Sequence, residues 1–360
     1  MPRNGIKLLL CVVLCHLVLW SVGTVEADTW HLKAGQGWEN AGQSEDGEYL
    51  LAVAKVKQLI SEGEVEGPLE ALEKVKELTP EIAGADLEAF IEAEKLYAEG
   101  DWLKAVKGYD EFLENHPESR LYESALEREY AIGVAFLNGQ KRVMLKILKV
   151  SAYEEGAALM RRLADRTGDR PMAKRALVTL AKKYEERGEY YDAYEVWAEI
   201  SILWPTGNMR ELALLGQAES LHSAYKGPRY DHQSSLESAR SYYQILKKQN
   251  TDSAKEHEVD DKITMINEQL AYKAFMIGQY YSKAGNVQAA NLYYQMVVES
   301  QPGTAAGKLA AEAMSGRSAE AESEVKKPFA RNLFDGVSGF LDSWFGVGGL
   351  FKSEETGVED

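Results

Sequence analysis

Between about Glu48 and Met314 the apolar positions come in blocks broken by Gly and Pro. The blocks are rich in Ala, Leu, Glu and Lys, a helix-forming set, and strands are hard to find among them. The segment from Ala89 to Pro117 shows the pattern best, with small Ala93, turn residue Gly100, small Ala105, aromatic Tyr109, large Phe112 and terminating Pro117. These stand at the spacing of a 34-residue tetratricopeptide unit, which is one helical hairpin. Two antiparallel helices pack closely only where one presents a small residue and the other fills the gap with a ring. Gly permits the tight turn, and Pro stops the second helix.

The same offsets recur twice more. Ala181, Tyr184, Gly188, Ala193, Trp197 and Pro205 repeat them, as do Gly278, Tyr281, Gly285, Ala290, Tyr294 and Pro302. A weaker first unit runs from Tyr49 through Gly63 and Ala71 to Pro80. Two units are stretched, one by KRVMLKILKVSAYEE after Gly139 and one by YKGPRYDHQSS after Ala224, each by about a dozen residues. Six units account for the span. The expected fold is all-α, a tetratricopeptide-like solenoid over residues 48–315, preceded by a linker at 28–47 and followed by a flexible tail at 316–360.

The first segment places this array outside the cytoplasm. Arg3 and Lys7 precede an apolar run from Leu8 to about Trp20, and small residues follow up to Val25-Glu26-Ala27. That order is a signal peptide, with cleavage expected between Ala27 and Asp28. An uncleaved N-terminal anchor is the other reading. The two cysteines, Cys11 and Cys15, both lie in this segment, and neither follows the small residue that lipid attachment needs. The remainder then has no thiol for catalysis or zinc binding. The whole chain carries a formal charge of −16, which disfavours nucleic acid or an anionic bilayer as the main partner.

The order of features resembles more than a generic repeat array. The unit AEKLYAEGDWLKAVKGYDEFLENHPES, the stretched unit YKGPRYDHQSSLESARSYYQILKKQ and the last unit LAYKAFMIGQYYSKAGNVQAANLYYQMVVESQPGT are similar to the BamD family of outer-membrane protein assembly factors. The resemblance covers residues 87–313. Its most discriminating piece is Arg229-Tyr230-Asp231-His232-Gln233-Ser234, where Asp231, Gln233 and Ser234 fall on the family's insertion, while Tyr230 and His232 depart from it. Ser234 or Ser235 is expected to cap the following helix, with Glu237 completing a capping box. The resemblance implies a periplasmic scaffold, peripherally associated with the outer membrane. Its implied partners are the barrel-assembly outer-membrane protein and unfolded barrel clients.

Beyond Met314 comes a polar linker, and then Leu333, Phe334, Val337, Phe340, Leu341, Trp344 and Phe345 fall three or four apart, an apolar helical face within 333–345. Three readings stay open: a helix folded back on the array, a segment docking on a partner or a membrane surface, and a disordered tail.

No catalytic constellation emerges. His31, His116, His222, His232 and His257 lack metal-ligand spacing, and Gly303 to Leu309 is too short between its glycines for a phosphate loop. No cofactor or metal is expected. Paired carboxylates such as Glu185-Glu186 and Asp260-Asp261 read as solvated helix faces. The expectation is a noncatalytic scaffold for barrel assembly. The alternatives are a periplasmic coordinator of cell-wall synthesis or division proteins, and a peptide-binding chaperone.

Overall fold

The computed structural model describes residues 30–33, 37–40, 47–78, 84–144, 148–230 and 233–320. Among the described residues the protein is overwhelmingly helical, with fourteen helices and two short hairpins. The chain divides into two compact units, residues 1–159 and 160–360.

The first unit opens with β1 (Trp30–Lys33) paired antiparallel to β2 (Gly37–Asn40), with Trp30 opposite Asn40. The expected linker at 28–47 thus contains a hairpin, whose four-residue strands are too short to show a period. Then come α1 (Gly47–Ser61), α2 (Gly67–Leu78), α3 (Ala85–Ala98), α4 (Trp102–Asn115) and α5 (Tyr122–Leu137), each packed on its predecessor, with α1 also touching α5. The stretch after Gly139 is not a lengthened helix or turn as expected. It forms β3 (Lys141–Met144) and β4 (Leu148–Ser151), antiparallel with Lys141 opposite Ser151. The β-branched Val143 and Val150 suit strands, and the cross-strand pairing decides the matter. Helix α6 (Tyr153–Thr167) follows and contains the unit boundary.

The second unit continues with α7 (Pro171–Arg187), α8 (Tyr190–Leu203), α9 (Gly207–Ser223), α10 (Gln233–Gln249), the short α11 (Thr251–Glu256), α12 (Val259–Lys283), α13 (Val287–Ser300) and α14 (Ala305–Glu320). Helices α7 to α10 pack in chain order, α12 packs on α10, and α14 covers both α12 and α13. Helix α14 runs through Glu320, five residues into the tail expected at 316–360, and the rest of that tail lies outside the described residues. Residues 333–345 and the cleavage site at Ala27 and Asp28 lie outside the described residues.

Five helices end alike. Gly63, Gly100, Gly139, Gly188 and Gly285 adopt φ of 76° to 93°, and the next residue's N–H reaches back five residues to a carbonyl at 2.9 to 3.0 Å. Examples are Asp101 to Leu96, Glu189 to Tyr184 and Asn286 to Tyr281. This doubly bonded reversal satisfies carbonyls that the helix end would orphan, and it needs a residue without a Cβ. Two residues after Gly100, Gly188 and Gly285 a new helix begins, and α4, α8 and α13 each run 14 residues.

Close backbone approaches join the helices. A Cβ on Gly278 would lie 2.7 Å from the Tyr294 ring, and one on Gly216 would lie 2.3 Å from the Trp197 indole. A Cβ on Gly108 would meet Ala93 Cβ at 3.1 Å. In the first pair Ala71 is only half-buried, while Val56 and Leu72 are fully buried. Aliphatic side chains fill the space there that rings fill elsewhere.

Gly278→Ala and Gly216→Ala force displacement of a buried ring, so each is expected to destabilise the protein by about 1–3 kcal/mol. Gly303→Ala, where an added Cβ meets nothing within 4 Å, serves as the neutral control. Urea unfolding checks this, and equal midpoints for all three variants would contradict the packing described.

Candidate functional site

Most residues singled out in the repeats sit where packing needs them. Ala93, Ala105, Tyr109, Ala181, Ala193, Trp197, Ala290 and Tyr294 are buried. Gly100, Gly188 and Gly285 occupy the turns, and Gly278 lies under Tyr294. Tyr184 and Tyr281 are half-buried, and Tyr281 stacks on Tyr293 with ring centroids 5.6 Å apart. Pro117, Pro205 and Pro302 are exposed just beyond the ends of α4, α8 and α13.

The family-like insertion differs from expectation. Helix α10 begins at Gln233, so Ser234 and Ser235 lie inside its first turn and neither is the cap. The Ser235 hydroxyl instead lies 3.2 Å from the Tyr191 hydroxyl, and the Gln233 amide donates to Glu237 at 3.0 Å. Asp231 lies outside the described residues. So do Phe334, Val337, Phe340, Leu341, Trp344 and Phe345.

Two polar clusters escaped the sequence. In the first unit, Glu94 on α3 and Arg128 on α5 form a fully buried ion pair, with Arg128 Nε donating to Oε1 at 2.8 Å and Nη2 donating to Oε2 at 3.0 Å. The Tyr109 hydroxyl on α4 donates to the same Oε1 at 2.5 Å, and the Arg128 guanidinium lies 4.3 Å from the Tyr97 ring centroid. Burial and the Glu94 charge push the Tyr109 phenol well above its ordinary range, so it remains a donor. Burial opposes the Arg128 charge, but the bonds and charge of Glu94 outweigh it and raise the guanidinium's pKa. Three helices are thereby pinned at one point. A bidentate guanidinium with its carboxylate satisfied from a third side is a specifying contact, and nothing in it is arranged for chemistry on a substrate.

In the second unit, residues of α7, α8, α9, α10 and α12 line a solvent-open cavity of about 270 Å³. Glu185 of α7 lines it, and Oε1 of that side chain accepts from the buried Trp197 indole N–H at 2.7 Å and from the buried Ser220 hydroxyl at 3.0 Å. Glu185 is therefore more than the solvated face residue expected. Two donors from α8 and α9 hold it in place, and its second oxygen accepts no bond from the described residues. Glu219 pairs with Lys262 across α9 and α12, and the Lys262 ammonium lies 5.7 Å from the Tyr243 ring centroid. His222 Nε2 is 3.2 Å from Gln269 Oε1 and its ring meets Tyr243 edge-on. The imidazole and the Ser220 hydroxyl thus bond to different partners, so no imidazole–hydroxyl pair for nucleophilic catalysis forms here.

Among the described residues no group of His, Cys, Asp or Glu could hold a metal ion, and no helix is long and apolar enough to cross a membrane. The Glu94–Arg128 pair is separated by 34 positions, and no local pattern marks it. Glu185 could have been suspected from one signal, its place one turn from the helix end beside a ring-and-small-residue contact.

Arg128→Met leaves the Glu94 charge buried and uncompensated, and is expected to cost about 3–5 kcal/mol, whereas Glu94→Leu with Arg128→Met recovers most of that loss. Urea unfolding of the single and double variants separates the two cases, and a double variant no better than the single contradicts the account. Burial holds the His222 imidazole below its ordinary value of 6.5, and Lys262 adds to this, while Gln269 and Glu219 oppose it. The unfolded chain then takes up the proton first as pH drops, so the stability from this site is complete above about 6.5 and declines towards the folded-state value. Unfolding midpoints should fall between about pH 7.5 and 5.5, and His222→Gln should flatten that slope. A slope unchanged by the substitution contradicts the assignment.

No protein-family model matches the chain and no curated protein matches it, so what the chain does has to be read from its own residues.

Proposed function

We propose that the chain is a noncatalytic, protein-binding scaffold of tetratricopeptide-like helix pairs that serves the outer-membrane barrel-assembly machinery from the periplasmic side. One observation carries the scaffold reading. The three best-matched pairs share a turn Gly in the left-handed region, at Gly100, Gly188 and Gly285, followed two residues later by a second helix of 14 residues. Recurrent pairs of this kind expose the first helix of each pair as a surface for extended or helical peptides. The cavity of the second unit fits that use. Its polar lining comes chiefly from α7, α9 and α12, the first helices of successive pairs, through Glu185, Glu219, Ser220 and Lys262.

The assignment to barrel assembly rests on the resemblance over residues 87–313 and on the export signal read in residues 1–27. The α9–α10 connection, which carries Arg229 and Tyr230, supports it as a departure from regular unit length. The acidic charge of the chain suits a surface that selects partners by shape and specific contacts more than by general adhesion to anionic polymers.

Affinity capture of the tagged chain from solubilised envelopes tests the reading. The barrel-assembly outer-membrane protein should be recovered, and depletion of the chain should lower outer-membrane barrel protein levels. Recovery of cell-wall synthesis or division proteins without any barrel-assembly protein contradicts the proposal and assigns the chain to the other class.

A further inference from the structure

The cavity of the second unit has a chemistry that selects its occupant. Glu185 forms part of its wall as a preorganised carboxylate, with one oxygen fixed by two donors that are themselves buried, Trp197 and Ser220. Orientation by buried donors on other helices means that little conformational entropy is left to lose when the second oxygen meets a ligand. Glu219 supplies another carboxylate, ion-paired with Lys262, and Lys262 is the lysine among the residues that line the cavity. The lining is net negative with the imidazole of His222 neutral. Tyr190 and Tyr243 contribute aromatic surface. A volume of about 270 Å³ admits a side chain and excludes a folded element.

We propose that this cavity is a binding pocket for an arginine side chain of a partner polypeptide, with the Glu185 carboxylate as its principal acceptor, Glu219 as the second and the Tyr190 ring as a wall. A guanidinium presents planar, forked donors that can engage carboxylate oxygens from more than one direction, and its weakly hydrated face packs on aromatic rings. An acidic or phosphorylated ligand would bring its charge against Glu185, and an apolar one would leave that carboxylate oxygen without a donor. The pocket deepens the scaffold reading, on which it rests for a polypeptide partner. It does not depend on which envelope complex the scaffold serves.

The Trp197 indole N–H bonded to Glu185 provides a local reporter. The full chain labelled with 5-fluorotryptophan is titrated with the peptide acetyl-Gly-Arg-Gly-amide and followed by fluorine NMR, with Trp197→Phe identifying the signal among the seven tryptophans. The arginine peptide should shift the Trp197 signal saturably, while the neutral citrulline counterpart should leave it in place. Glu185→Gln keeps an oxygen for Trp197 and Ser220 but loses the charge, and should weaken binding about tenfold or more, with Glu219→Gln as a second, independent loss. An equal response to citrulline, no saturable shift, or full binding by Glu185→Gln overturns the proposal. A saturable shift with spermidine but not with the arginine peptide also overturns it, in favour of free polyamines. Failure here together with recovery of barrel-assembly partners in affinity capture would remove the pocket and leave the scaffold reading standing.

Discussion

The helix packing depends on backbones coming close enough for a buried side chain of one helix to press directly on its neighbour. Trp197 rests on Gly216 and Tyr294 rests on Gly278, at separations that leave no room for even one added carbon. Where two backbones meet more directly, Gly108 faces Ala93. Such contacts recover dispersion and apolar burial from large side chains, and they fix the distance between helices, because interiors tolerate neither voids nor overlap. The left-handed glycines at the turns complete the constraint. They reverse the chain within two residues, so the second helix starts already aligned with the first.

On this apolar frame sit a few polar contacts that decide registration. The Glu94–Arg128–Tyr109 cluster ties three helices of the first unit through one carboxylate. In the second unit Glu268 on α12 accepts from the Ala305 N–H through both oxygens, at 2.8 and 3.0 Å, and Thr304 accepts from Gly307 N–H at 2.9 Å. Together they satisfy donors at the start of α14 that would otherwise lack partners. The last helix is thus held on its neighbours by side chains as well as by the buried Ala306 and Ala310. Glu185 belongs to the same class of device, with one difference: its second oxygen remains open to a ligand.

The sequence revealed what is periodic and concealed what is not. Gly100, Gly188 and Gly285, and the small and aromatic residues at fixed offsets from them, were legible because one local rule repeats in each pair. The β3–β4 hairpin was misread because a dozen apolar and basic residues between two helices satisfy either a longer helix or two short strands, and only pairing decides. Ser234 or Ser235 looks like a cap in the sequence because composition marks a helix start only to within a turn, and the helix begins at Gln233. Arg128 and Glu94, and likewise Trp197, Ser220 and Glu185, come together from different helices. Burial turns ordinary helix residues into a cluster there, and burial is a tertiary property.

The central claim is that the protein works by binding other polypeptides on the cavity face of its second unit. Photocrosslinking in living cells tests it most directly, with a benzophenone amino acid placed at Tyr190 in the cavity lining and, separately, at the exposed Leu292 on α13. The account predicts discrete protein adducts from position 190 that disappear when Glu185→Gln is introduced. Adducts from position 292 alone, or none from position 190, would contradict it.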